Sequence, residues 1–184
     1  MKTKYKAVQF RAPETAEVSG VILMAYLNNL EEKRVGPILK SYGFDKANID
    51  TERWYPNQMF LDIERSIYQS EGGANALVAI GKSAVENYIP PAGVETLEDA
   101  LMALPSVYTT NQRKLPEGYG WFIEKVGPQQ FVFKNNTGTS NHGAYGYVWA
   151  LCNKLKPAGA NMSVVPTHGF SADDDEPAII EIEW

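Results

Sequence analysis

The spacing of hydrophobic residues changes at about residue 115, and this change limits the folds open to the chain. Before it, apolar residues recur every three or four positions, as in WYPNQMFLDIERSIYQS, where Phe60, Ile63 and Ile67 share one helical face. After it, the aromatic and branched runs YGWFIEKV and QQFVFK flank Gly127-Pro128, which is typical of a β-hairpin. The pattern predicts a helical first half and a second half that is mostly sheet.

Several residues in the first half mark the ends of helices. Pro56 suits the first turn of a helix, with Asp62, Glu64 and Arg65 on its solvent side. Thr96 suits an N-cap, and we expect Pro105 to end the helix that Thr96 begins. The predicted elements are a strand at residues 5–11 and helices at 17–42, within 54–70, at 74–88 and at 97–104.

The second half adds one more helix to the strands. In AYGYVWALCNKL, the helical spacing places Tyr145, Trp149, Cys152 and Leu155 on one face. MSVVPTHGF and AIIEIEW predict two further strands around the acidic turn SADDDEP. We therefore predict one α+β domain over residues 1–184, with helices packed on one face of a four-stranded antiparallel sheet.

Charge and cysteine content exclude several classes of function. The chain has 17 Lys and Arg against 22 Asp and Glu, for a net charge of -5, so it lacks the basic surface typical of nucleic-acid binding. One cysteine cannot form an internal disulfide or a cysteine-based metal site. No apolar run reaches the length of a membrane span. We expect a cytoplasmic protein.

The loop FKNNTGTSNHGAYGYVWALC follows a predicted strand and precedes a helix, as phosphate-binding loops do. Its glycines Gly138 and Gly143 have the spacing of a Walker loop, but Ala144-Tyr145 replaces the Lys-Ser/Thr that would contact phosphate. The histidines, His142 and His168, are too few for a zinc site, and no catalytic group of residues is evident. We expect neither a metal nor an enzymatic activity.

Aromatic residues are the remaining functional signal, because they cluster in short stretches. Such side chains can fill the core or line an apolar pocket between the helices and the sheet, and the sequence leaves both alternatives open. The residues predicted to bind a ligand are Trp54, Tyr55, Trp121, His142, Tyr145 and Trp149.

The order of these motifs is similar to that of a known superfamily. WYP before a helix, then ALVAIGKSAVENYIP, LPSVY, the hairpin, the glycine-bearing helix and a last strand ending at Trp184 span roughly residues 17–184. In this order the chain resembles the superfamily of haem-dependent nitric-oxide sensor domains, 4-vinyl reductase domains and TRAPP tethering subunits, and among them the uncharacterised bacterial members. The resemblance implies helices packed on an antiparallel sheet with a hydrophobic ligand cavity between them.

The resemblance also implies a set of functions. Haem sensors of the superfamily hold haem with a helical histidine and a Tyr-x-Ser-x-Arg motif, and here Tyr108 is followed by Arg113 one place too late, without the serine. We therefore expect no cofactor, haem included. The leading hypothesis is a non-enzymatic sensor or carrier that binds a small apolar ligand as a homodimer. The alternatives are a TRAPP-type interaction module and a tetrapyrrole-binding protein.

Overall fold

The computed structural model describes residues 5–28, 30–86, 89–171 and 176–184. Six α-helices lie in this part of the chain: α1 Gly20–Leu27, α2 Glu32–Ser41, α3 Asn57–Tyr68, α4 Gly73–Ser83, α5 Leu97–Thr110 and α6 Asn141–Leu155. The strands are β1 Glu17–Ser19, β2 Trp54–Pro56, β3 Gln112–Arg113, β4 Gly120–Gly127, β5 Gln130–Asn136, β6 Ser163–His168 and β7 Ala178–Glu183.

The larger sheet has four antiparallel strands in the order β4-β5-β7-β6. Alternate residues of the inner strands, such as Phe133 and its partner Ile180, are buried and pack with residues of α5 and α6. This alternation is why the second half forms sheet, because one face of each strand is apolar. The predicted α+β class and four-stranded antiparallel sheet are confirmed.

A second sheet, in the order β2-β1-β3, has three antiparallel strands of two or three residues each. Val18 pairs with Tyr55 on one side and with Gln112 on the other, so that distant parts of the chain meet at β1. The sequence gives no sign of this sheet, because strands this short contain no hydrophobic period.

The predicted cap of α5 is confirmed, but the predicted end is wrong. The Thr96 hydroxyl accepts the Asp99 backbone N–H at 3.1 Å, and the Asp99 carboxylate accepts the Thr96 N–H at 3.0 Å. Pro105 lies inside the helix, which continues to Thr110. A proline costs one helical hydrogen bond there. The buried side chains of Leu101, Leu104 and Tyr108 lie on both sides of it in the helix, and their packing offsets that cost.

The segment before β1 is not the strand predicted for residues 5–11. It is held by individual hydrogen bonds instead, since the Phe10 N–H donates to the Gly138 carbonyl and the Arg65 guanidinium donates to the Phe10 carbonyl, both at 2.7 Å. The helix predicted for 17–42 consists of β1, α1 and α2. Tyr88 and residues 172–175 of the acidic turn lie outside the described residues.

Helix α6 buries a face that agrees with the predicted one at Cys152 but not at Trp149. Val148, Leu151 and Cys152 are buried, whereas Trp149 is 36% exposed. Tyr145 is half-buried. The face that points inward is therefore rotated toward Val148, because α6 contacts both the sheet and α4.

Helices α4 and α6 approach so closely that their backbones touch. A Cβ on Gly81 would overlap the Gly143 carbonyl oxygen, and a Cβ on Gly146 would overlap the Val78 carbonyl oxygen. Each glycine thus allows a contact that other residues would prevent. This crossing holds a first-half helix against a second-half helix.

Replacing Gly81 with alanine should destabilise the fold, even though alanine favours an isolated helix by about 1 kcal/mol. The added methyl group would push α4 away from α6, and we expect a loss of about 1–3 kcal/mol in the free energy of unfolding. Urea unfolding measures this value. Asn75→Ala, at an exposed position of the same helix, is the control and should unfold like the wild type. Equal stability of Gly81→Ala and the wild type would contradict the close crossing.

Candidate functional site

A cavity of about 240 Å³ lies where the two larger hydrophobic cores of the described chain meet. One core comes mainly from α1 to α4, and the other comes from α5, α6 and the four-stranded sheet. The cavity is close in size to the ~300–1,000 Å³ of typical small-molecule pockets. Its aliphatic and small residues are Ile22, Gly81, Ala84, Val107, Gly143 and Ala144.

Aromatic side chains from four helices and one strand form much of the lining. They are Tyr26 of α1, Phe60 of α3, Tyr108 of α5, Trp121 of β4 and Tyr147 of α6. Tyr26 and Phe60 meet edge to face with ring centroids 4.7 Å apart, and Trp121 lies 5.2 Å from Tyr108 and 5.4 Å from Tyr147. These contacts fix the rings relative to one another and give the cavity an apolar, aromatic wall.

One carboxyl group, that of Glu64, lines the cavity from α3. Its side chain accepts the Tyr26 hydroxyl and the Ser140 backbone N–H, each at 2.9 Å. Burial raises the pKa of Glu64 from 4.5 to about 7, although the hydrogen bonds from Ser140 and Tyr26 act in the opposite direction. Glu64 therefore changes its charge near neutral pH.

Two more polar groups of the lining make no hydrogen bond of ordinary geometry with any described residue, although the Tyr108 hydroxyl faces the side chains of Tyr119 and Thr137. The two groups are the hydroxyl of Tyr108, which is 6% exposed, and the side-chain carbonyl oxygen of Gln112, which is 5% exposed. Burial also raises the pKa of Tyr108 well above its ordinary value, so this group stays a neutral phenol. Buried polar groups are almost always satisfied in folded proteins. The missing hydrogen bonds of these two groups therefore indicate that water or a ligand binds in the cavity.

Of the six residues predicted to bind a ligand, Trp121 lies in the cavity lining, where its indole N–H donates to Asn135 at 3.1 Å. Tyr55 is buried in the first core, and its hydroxyl accepts the Asp50 N–H at 2.7 Å. Trp54 packs under the Arg113 guanidinium, 4.4 Å from the ring centroid. Neither is part of the lining.

The three predicted residues of α6 lie outside the lining as well. His142 packs between Tyr68 and Phe170, and Tyr145 also contacts Phe170. Trp149 packs under the ammonium of Lys82 at 3.9 Å. Cys152 is buried in the second core, where burial raises the pKa of its thiol to about 12. The structure thus brings one predicted residue to the cavity, and ligand binding by the other five stays a prediction.

Sequence reasoning missed the polar groups of the cavity. Glu64 was expected on the solvent side of α3 but is fully buried. Its spacing gives a signal, because Glu64 follows Phe60 by one helical turn and precedes Ile67 by three residues. Nothing in the sequence around Tyr108 or Gln112 predicts that their polar atoms lack partners, since that depends on residues far away in the chain.

The part of the chain that the structure describes offers no metal site and no membrane-spanning helix. No group of three or more His, Cys, Asp or Glu side chains there could hold a metal ion. No helix there has both the length and the apolar character that crossing a membrane requires.

The fold matches solved structures, whereas no family model and no curated protein matches the sequence. A structure from work on haem distortion in the H-NOX family has 14% identity and a TM-score of 0.63 over 90% of this chain and 94% of its own. Another, on haem redox potential and porphyrin distortion, has 14% identity and a TM-score of 0.59 over 90% and 99%. An Fe(II) unliganded H-NOX mutant from K. algicida has 14% identity and a TM-score of 0.57 over 90% and 95%.

These matches identify the fold as the H-NOX fold and correct one expectation. The resemblance to haem nitric-oxide sensor domains is confirmed at the level of the fold. The same matches give no support for the resemblance to 4-vinyl reductases or TRAPP subunits. The expectation that the chain takes no cofactor, with haem unsuitable, is wrong, because the solved structures that share its fold are domains studied for their haem.

The charge of Glu64 should make stability depend on pH. Because the folded pKa of about 7 lies above the ordinary glutamate value of 4.5, the folded state binds the proton more tightly than the unfolded state. The free energy of unfolding should therefore fall by roughly 3 kcal/mol as the pH rises between these two values. Glu64→Gln, which mimics the neutral acid, should remove this component.

Urea unfolding at a series of pH values measures the effect as the difference between the wild type and Glu64→Gln. Glu71→Gln changes an exposed carboxyl outside the cavity and should leave the profile of the wild type intact. Parallel profiles for the wild type and Glu64→Gln would show that Glu64 is not buried as a neutral acid.

Proposed function

We propose that the chain is a ligand-binding sensor domain whose receptor site is the cavity between the two cores, and that haem is its cofactor. The observation that carries the proposal is an aromatic cavity whose lining holds two buried polar groups, Tyr108 and Gln112, without hydrogen bonds of ordinary geometry. The H-NOX fold supports it, since the matching structures come from work on haem domains.

One side chain of the cavity lining could bind the iron of haem. Tyrosine is among the side chains that bind haem iron in proteins, and the hydroxyl of Tyr108 lines the cavity without a hydrogen bond of ordinary geometry. The described lining contains no His, Cys or Met as an alternative iron ligand, and no Lys or Arg to pair with the propionates. Since the cavity measures about 240 Å³, less than most small-molecule pockets, haem would also require the helices around it to move apart.

The residues around Tyr108 suit a ligand site of this kind. Trp121 packs against Tyr108, and Tyr147 packs against Trp121, so apolar ring surface lies beside the phenol and limits the access of water. When bound, haem supplies an iron centre whose potential and gas binding are set by the axial ligand and by the polarity of the pocket. The chain's own contribution is to hold a phenol oxygen, a carboxyl and an amide oxygen at the surface of one cavity.

Other predictions about function stay predictions. A TRAPP-type interaction module requires a filled core, and the cavity favours ligand binding over it. The small apolar ligand of the leading hypothesis gives way to haem as the first candidate, for the reasons given above. A homodimer, a cytoplasmic location, the absence of enzymatic activity and a single domain are further predictions about this chain.

Titration of the purified protein with ferric haem tests the proposal. We expect a Soret band shifted from that of free haem. We also expect the charge-transfer absorption of a phenolate ligand, because ferric iron would displace the proton that Tyr108 keeps in the haem-free chain. Tyr108→Phe should abolish that absorption and weaken binding by about ten-fold or more, because iron loses its oxygen ligand. Tyr145→Phe removes a tyrosine hydroxyl outside the cavity lining and should behave like the wild type.

Two results would contradict the proposal. A spectrum that stays that of free haem would show that the cavity does not take the cofactor. Identical spectra for the wild type and Tyr108→Phe would show that haem binds elsewhere or through another residue.

A further inference from the structure

The polar groups of the cavity that lack protein partners are oxygens. The Tyr108 hydroxyl and the Gln112 side-chain carbonyl make no hydrogen bond of ordinary geometry with described residues. The Glu64 carboxylate, which offers about four acceptor positions, accepts two hydrogen bonds, from Tyr26 and Ser140. The Tyr108 hydroxyl can donate or accept, whereas the Gln112 carbonyl and the ionised Glu64 carboxylate can only accept. A ligand that donates hydrogen bonds would therefore satisfy these two acceptors.

The described lining carries a negative charge when Glu64 is ionised, and no positive charge. Glu64 is its acid, and the described lining contains no Lys, Arg or His. An anionic ligand would face this carboxyl without a counter-charge, whereas a cation would pair with it. The charge of the lining thus favours cationic ligands over anionic ones.

The aromatic wall favours the same class of ligand. Five aromatic side chains line the cavity that also holds Glu64. Aromatic ring faces attract ammonium groups, and cages of such rings recognise ammonium ligands in many proteins. Because an aromatic wall also contacts the apolar part of a ligand, it suits a cation attached to a hydrocarbon group.

We propose that the haem-free chain binds a small organic ammonium ion in this cavity, with its nitrogen at the Glu64 carboxylate and its hydrocarbon part against the aromatic wall. The inference rests on the proposal that the cavity is a ligand site, but not on haem. A volume of about 240 Å³ corresponds to roughly eight water molecules at ~30 Å³ each, so the ligand is a compact one.

The state of Glu64 links binding to pH. The titratable groups that face it are the phenols of Tyr26 on α1, of Tyr108 on α5 and of Tyr119 just before β4, and burial raises the pKa of all three, so that they stay neutral. From α6 the backbone N–H of Ser140 faces the carboxyl. Binding of an ammonium ion should therefore tighten as the pH rises through about 7, where Glu64 ionises.

Calorimetric titration with three probes of one shape tests the proposal: benzylammonium, benzyl alcohol and benzoate. At about pH 8 we expect benzylammonium to bind at least ten-fold more tightly than benzyl alcohol, and benzoate to bind most weakly. Below about pH 6 the preference for the cation should shrink, and binding there should release a proton from Glu64.

The neutral variant Glu64→Gln keeps the shape of the side chain and removes its charge. It should lose about ten-fold or more in affinity for benzylammonium while its affinity for benzyl alcohol is unchanged, which shows that the cavity is still formed. Glu71→Gln should bind all three probes as the wild type does. An unchanged preference in Glu64→Gln would overturn the role of the carboxylate.

The pattern of failure distinguishes this inference from the proposed function. If benzyl alcohol or benzoate binds as tightly as benzylammonium, or if haem alone binds, the ammonium class is wrong and the cavity remains a ligand site. If neither the three probes nor haem binds, the proposal that the cavity is a receptor site fails together with the inference.

Discussion

A buried hydrogen bond between Glu64 and the backbone of Ser140 joins the two halves of the molecule. Glu64 belongs to α3, and Ser140 is the N-cap of α6, 76 positions later in the sequence. The bond therefore fixes the start of a second-half helix against a first-half helix. A buried carboxyl requires such partners, because an ionised group without them is costly in an apolar interior. The cavity forms around this point, where neither core fills the space between them.

Glycines determine how near the two halves can approach. Gly81 and Gly146 let the backbones of α4 and α6 touch beside the cavity, and larger residues at these positions would separate the helices. Gly143, on the same helix as Gly146, lines the cavity itself. The wall of the site and the contact between the cores thus depend on the same pair of helices. Binding of a larger ligand such as haem would have to act against this packing.

The fold and the contents of the cavity point to different features of function. The fold is shared with H-NOX domains, and the matching structures come from work on haem. The lining offers iron a phenol oxygen from Tyr108, and it offers a cation the carboxyl of Glu64 within an aromatic wall. Fold alone does not establish function, since one fold can hold many different sites. The ligand must therefore match the charge, the hydrogen-bonding groups and the aromatic surface of the residues in the cavity.

The sequence by itself determined the elements whose signals are local. The helical period of α3, the Thr96 cap, the hairpin at Gly127-Pro128 and the alternation of the last strands predicted the α+β class and the four-stranded sheet. The continuation of α5 through Pro105, the burial of Glu64 and the unsatisfied Tyr108 were decided by the tertiary structure. The physical reason is that a period or a cap depends on neighbours within one or two turns. The burial of a side chain and its hydrogen-bond partners depend on residues that folding brings from far along the chain.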